Sequence, residues 1–192
     1  MGTTPSPITQ MKIWVHEVNR LVSRGAVSAT GTARPARRAA SMETSEPEGG
    51  ALWHADPPAA AGGRVTYRFS SSAADAVVRR GLKPIVIDQL AKASHLPSAD
   101  LQRFAGVDRT TVKRRADKGQ TLPQDAAVKT LTAAELVGQA TEVFGSVEDA
   151  SEWLITPHPM LQGEAPMQRA RTPWGLEKVR EILVALRYGG VV

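Results

Sequence analysis

The chain has 192 residues, enough for one ordinary domain or two small ones. It is 42% hydrophobic but only 5% aromatic, so Trp14, Trp53, Trp153 and Trp174 carry much of the aromatic burial available. Without cysteine there is neither a disulfide framework nor a thiolate metal site, and no apolar run approaches the ~20 residues needed to span a bilayer. The N-terminus has no basic stretch leading into an apolar core, so no signal peptide is expected, and a reducing cytoplasm suits the composition. Net charge is +5, unevenly placed. Residues 79–118 hold ten basic and four acidic side chains, a net +6, whereas residues 132–192 carry −3. A cationic middle and a mildly acidic end point to two different partners, although a solvated basic face explains the first equally well.

Ile8, Met11, Trp14, Val15, Val18, Leu21 and Val22 recur at helical spacing, which predicts a helix over about 8–22. Residues 25–63 lose this periodicity and are rich in Ala, Gly, Pro, Ser and Arg. Such a composition cannot offset a backbone entropy of about 1–2 kcal/mol per residue and reads as a flexible linker. The N-terminal helix then becomes a tethered element: a docking peptide, a dimer contact, or an extension without a role. Val65–Phe69 alternates apolar and polar residues, a strand signal too short to found a sheet.

From residue 70 onward the signals are helical. Ser72 is a candidate cap for a short helix through Val77 and Val78 that Gly81 stops, and Pro84 suits the first turn of the next, with Ile85, Val86 and Leu90 inward. Ser98 is placed to cap Ala99–Phe104, and Asp108 to cap Arg109–Lys118, with Gly106 between them and Gly119 after. Pro123 reopens a helix to about Val143, with Val128, Leu131 and Val137 inward. Ser146 caps the helix of Ala150, Trp153 and Leu154, Pro157 and Pro159 force a loop, and a last helix starts near Gly175. The fold class is therefore all-α: a flexible extension over 1–63, a helix-turn-helix-like domain over 64–122, and a small helical domain over 123–192.

A short helix, a glycine turn and a second helix make the shape of a DNA-reading helix-turn-helix. Gly106 supplies the turn, with Val107 after it and Val112 facing back, although Gln102 stands where many such motifs have a small residue. With Val112 and Ala116 inward, Thr110, Lys113, Arg114, Asp117 and Lys118 point outward, Arg109 and Thr111 flank the entering end, and Arg115 has to snorkel. Arg109, Thr110, Thr111, Lys113, Arg114 and Lys118 are the candidate DNA-binding residues; a basic surface helix without a DNA role is the alternative. One such unit makes few contacts, so a homodimer on two half-sites is expected.

Phe144-Gly145, Ala150, Trp153-Leu154, Pro157, Leu161, Gly163, Pro166, Gly175, Val179, Leu183 or Leu186, and Tyr188-Gly189 form an ordered set over the last fifty residues. That set resembles the toxin-binding domain of Xre/MbcA/ParS-type antitoxins, the partners of RES-domain toxins. The resemblance covers about residues 72–192 and departs from the pattern at Gln168-Arg-Ala170 and at Trp174. It implies an antitoxin that represses its own operon and neutralises a cognate RES toxin, an ADP-ribosyltransferase-like protein that consumes NAD or transfers its ADP-ribose. Plain core packing accounts for Trp153, Leu161, Val179 and Leu186. The toxin-binding candidates are then Arg169, Arg171, Trp174, Arg180, Arg187, Tyr188, Gly189, Val191 and Val192, with the tail from Arg187 closing the toxin's NAD site. The resemblance also implies a toxin–antitoxin hetero-oligomer.

Enzyme chemistry finds no support. His16, His54, His95 and His158 lack metal-ligand spacing, and no nucleophile elbow or phosphate-binding glycine loop occurs, so neither cofactor nor metal nor catalytic residue is expected. The competing function is a stand-alone transcription regulator whose C-terminal half only dimerises.

Overall fold

The computed structural model describes residues 7–25, 51–56 and 66–189. In chain order they form α1 (Pro7–Gly25), β1 (Trp53–Asp56), β2 (Thr66–Phe69), α2 (Ser71–Arg80), α3 (Ile85–Ala93), α4 (Ser98–Ala105), α5 (Arg109–Asp117), α6 (Gln124–Phe144), α7 (Val147–Ile155), a 3-10 turn (Pro159–Leu161), α8 (Pro166–Arg169) and α9 (Pro173–Arg187). The all-helical expectation holds but for one two-stranded antiparallel sheet, in which Trp53 pairs with Phe69 and Asp56 with Thr66.

The helix ends follow local chemistry. Ser146, Asp108 and Thr172 each accept a hydrogen bond from a backbone N–H in the first turn of α7, α5 and α9. Two caps differ from the sequence reading. Ser70, not Ser72, caps α2, accepting from the Ala73 N–H. Ser98 is already the first residue of α4, and its hydroxyl donates to Asp88 instead of capping.

The centre of the structure is α6. Its 21 residues rise about 1.5 Å each, so it is long enough to reach most of the other elements. Ala126, Ala127, Leu131, Ala133, Ala134, Leu136, Val137 and Ala140 are all buried, and only a stripe of Thr132, Glu135, Gln139 and Glu142 along the helix is polar and half-buried. Small side chains let α1, α2, α4, α7 and α9 pack directly on it. Thr130 and Thr141 are buried too, and each hydroxyl donates to the carbonyl one turn back, at Ala126 (2.7 Å) and Val137 (2.8 Å). Val128, read as inward, is exposed. It lies in the first turns, where the helix stands clear of its neighbours on that side.

The N-terminal helix is part of this core. Met11, Trp14, Val15, Val18, Leu21 and Val22 are buried on one face of α1, against α3 and α6. Trp14 and Trp53 meet over Gly138. A Cβ there would lie 2.6 Å from Trp53 Cη2 and 3.1 Å from Trp14 Nε1, so only glycine fits. Asn19 locks the strand to the helix: its Oδ1 accepts from the Trp53 N–H (3.1 Å) and its Nδ2 donates to the Trp53 carbonyl (3.2 Å). Residues 51–56, inside the stretch read as linker, are thus part of the packed structure; residues 26–50 and 57–63 of that stretch lie outside the described residues.

Candidate nucleic-acid and partner-binding surfaces

The chain enters α5 through a left-handed residue. Gly106 has φ 72° and ψ 29°, a conformation that costs other residues a Cβ clash, and its N–H closes the end of α4. Asp108 then turns the backbone into α5, accepting from the Thr111 N–H and, at 3.2 Å, from the Thr111 hydroxyl. The N–H bond from Thr111 is the main reason the Asp108 carboxyl sits below its ordinary value of 3.8. Thr111 is thus engaged in the cap, whereas Arg109, Thr110, Lys113, Arg114 and Lys118 are exposed. Arg115 does snorkel: its guanidinium donates to the Thr121 carbonyl at 2.9 Å.

Only Val112 of α5 is buried. Ala116, read as inward, is exposed, and so is Ile85 on α3. Both line an open groove of about 560 Å³ between α3, α4 and α5, along with Ala99, Gln102, Arg109 and Lys113. The helical periodicity is right; the space it faces is open to solvent. At the groove's edge a chain of hydrogen bonds runs from Gln102 through the Ser98 hydroxyl (3.0 Å) to the Asp88 carboxylate. Sequence reasoning missed this chain, because Asp88 lies ten residues away on another helix.

The other candidate surface follows α7. Phe144 and Trp153 pack with ring centroids 5.3 Å apart, and Trp153 is half-buried instead of fully in the core. Leu161 and Val179 are buried as expected, and Leu186 packs on the core from its margin. Thr172 caps α9 through the Gly175 N–H at 3.1 Å. The arginines divide into two sets. Arg180 pairs with Glu135 at 2.8 Å and Arg187 with Glu142 at 3.0 Å, which ties α9 to α6 at positions seven residues apart on both helices. Arg169 meets Glu164 at 3.6 Å, and Arg171 is exposed. Burial raises the Glu135 carboxyl above its ordinary 4.5, with Arg180 opposing the shift.

Beyond these pairs α9 presents apolar groups to solvent. Trp174 is 83% exposed, Tyr188 80% and Val184 55%. At about 100° per residue the three project from one side of the helix. Gly189 has φ 74°. Val191 and Val192 lie outside the described residues. No helix among the described residues is long and apolar enough to cross a membrane, and among them no three His, Cys, Asp or Glu side chains gather as metal ligands.

Two family descriptions match on this geometry. Residues 73–129 match the antitoxin Xre-like helix-turn-helix domain, and residues 139–189 match the antitoxin Xre/MbcA/ParS C-terminal toxin-binding domain. Together the two matches take in most of residues 73–189. It is also similar to antitoxin Xre of Pseudomonas putida, 32% identical over 79 residues. That stretch covers 41% of this chain and 50% of the relative, so the chain spans half the length of the curated protein it matches. The first match runs from α2 into α6, and the second begins within α6 and ends at Gly189.

Two measurements test this geometry. The Asp108 cap is ionised above its ordinary carboxylate pKa and fails as pH falls through the lower folded-state value. Asp108→Ala should lower the melting temperature by more at pH 7 than at a pH below the folded-state pKa, and Asp108→Asn, a neutral cap, should lose less than Ala at pH 7; thermal scans across pH read this directly. Glu135 has the opposite sign. Its raised pKa favours the folded state at low pH, and that contribution is lost as pH rises through the folded value. Glu135→Gln should flatten this part of the stability profile, while Arg180→Ala, which leaves the carboxylate unpaired, should cost about 1 kcal/mol at pH 7 in urea titrations.

Proposed function

We propose that this chain is an antitoxin: it binds and neutralises a cognate toxin through the α7–α9 region and represses its own operon through α5. The observation that carries this reading is the pairing of surfaces in one chain. A capped cationic helix with a single buried residue belongs to the Xre-like helix-turn-helix domain, and the toxin-binding domain ends in an exposed aromatic just past an anchored arginine. The toxin is of the RES type, an ADP-ribosyltransferase-like protein that consumes NAD or transfers its ADP-ribose. The antitoxin requires no cofactor and performs no catalysis of its own, and it acts in the cytoplasm.

Occlusion of the toxin's dinucleotide cleft supplies the mechanism. Arg187 is held by Glu142, so it fixes where the tail leaves the domain. Tyr188 then enters an aromatic slot, and Gly189 and Gly190 let the following backbone approach closely. Trp174 and Arg171 widen the contact along α9 and its approach, and Arg169 and Arg180 shape it from within. Operator binding uses Arg109, Lys113 and Arg114 toward base edges, and Thr110, Thr111 and Lys118 toward phosphates, in a homodimer within the toxin–antitoxin hetero-oligomer.

Co-expression with a cognate RES toxin tests the first half. The full chain should restore growth and co-purify with the toxin, and deletion of Tyr188–Val192 should abolish rescue while the circular dichroism spectrum stays helical. Rescue by the truncated chain would defeat the occlusion mechanism. A chain that binds operator but never a RES protein would leave only a transcription regulator. For the second half, binding to operator DNA should weaken steeply with salt, and Lys118→Ala should reduce the slope of log K against log salt by about 1 by removing one phosphate contact. An unchanged slope would take Lys118 off the phosphate backbone.

A further inference from the structure

Helix α1 lies outside both matched domains, 73–129 and 139–189, yet it touches both. It packs on α3 of the first, along α6, which the two share, and on α7 of the second. Every one of these contacts is non-covalent. Val18, Leu21 and Val22 close against Val86, Leu90, Leu131 and Ala134 around an apolar void of only about 10 Å³. The opposite face of α1 bears Lys12, Ile13, His16, Arg20 and Arg24, all exposed. The receiving surface is made for a helix of this pattern: Gly138 gives the notch for Trp14, and the Lys83 N–H donates to the Gly25 carbonyl at 2.8 Å, fixing the far end.

We propose that the face formed by α3, α6, α7 and β1 is a binding site for an amphipathic helix, filled in cis by α1, and that α1 is a brace holding the helix-turn-helix domain and the toxin-binding domain as one unit. Two properties follow from how the brace is held. Its docking rests on buried side chains and the Asn19–Trp53 hydrogen bonds, so it does not require continuous chain between Gly25 and Ala51. Its removal loosens both domains, since its buried face is shared between them.

The test uses the full chain with a specific protease site placed within residues 36–42. After cutting, the native sequence should still elute from gel filtration as one species containing both pieces. Val18→Asp, which places a charge at a 1% exposed position, should release the N-terminal piece, and Ile13→Asp, at a 57% exposed position, should not. In the uncut Val18→Asp chain, amide hydrogen exchange should quicken in both α3 and α7. Separation of the pieces of the native sequence overturns the proposal, including aggregation of the larger piece with the smaller left in solution. So does equal behaviour of the two variants. Faster exchange in α3 alone, or in α7 alone, would remove the bridging role. Neither toxin nor DNA enters this experiment, so its outcome is independent of the antitoxin reading.

Discussion

Burial of α6 is the constraint on which the rest depends. A helix packed by α1, α2, α4, α7 and α9 has no face left for bulk, and its run of alanines with Gly138 meets that requirement. Close approach of backbones brings many weak dispersion contacts within range, each about 0.1–0.2 kcal/mol, and their number makes the core. The polar residues obey the same rule. Thr130 and Thr141 satisfy their hydroxyls within the helix, so neither needs a partner from a neighbour.

The seam between the two domains follows from that shared helix. Beside α6, the Ser151 hydroxyl donates to the Ser94 carbonyl, joining α7 to the end of α3, and His95 stands 3.3 Å from Glu148. Helix α4 leans on α8 across a small pocket bounded by Arg103, Phe104, Glu164 and Arg171. Helix α5 is carried on the outer side of this assembly and contributes little to it. Its position is set by the Gly106 turn, the Asp108 cap and one valine. Its cationic outer surface is thereby separated from the groups that keep the chain folded.

Much of this was legible in the sequence, for reasons that differ by residue. Capping residues and glycine stops act within four residues, so Asp108, Ser146, Gly106 and Gly81 announce the element ends they make. The periodicity of Met11, Trp14, Val18 and Val22 announces a helix with a buried face, but not what covers it. The receiving side is a glycine and several alanines on α6 more than a hundred residues later, and small residues give no signal of the shape they accept. Ile85 and Ala116 show the reverse case, with apolar periodicity facing a groove open to solvent. The role of Arg180 and Arg187 could not be read from their own neighbourhood, because Glu135 and Glu142 are forty-five residues upstream in each case. Trp53 was hidden by its setting, a short strand after a stretch of low-complexity composition.

The isolation of α5 has a consequence for how such a chain can change. Val112 is its one buried residue, and beyond the Thr111 cap contact and the Arg115–Thr121 hydrogen bond its side chains face outward. Substitutions on the outer side therefore alter what the helix meets without disturbing what supports it. A lineage carrying this scaffold can vary that outer surface by single steps, each tolerated by the fold, while the alanine-lined axis behind it stays fixed.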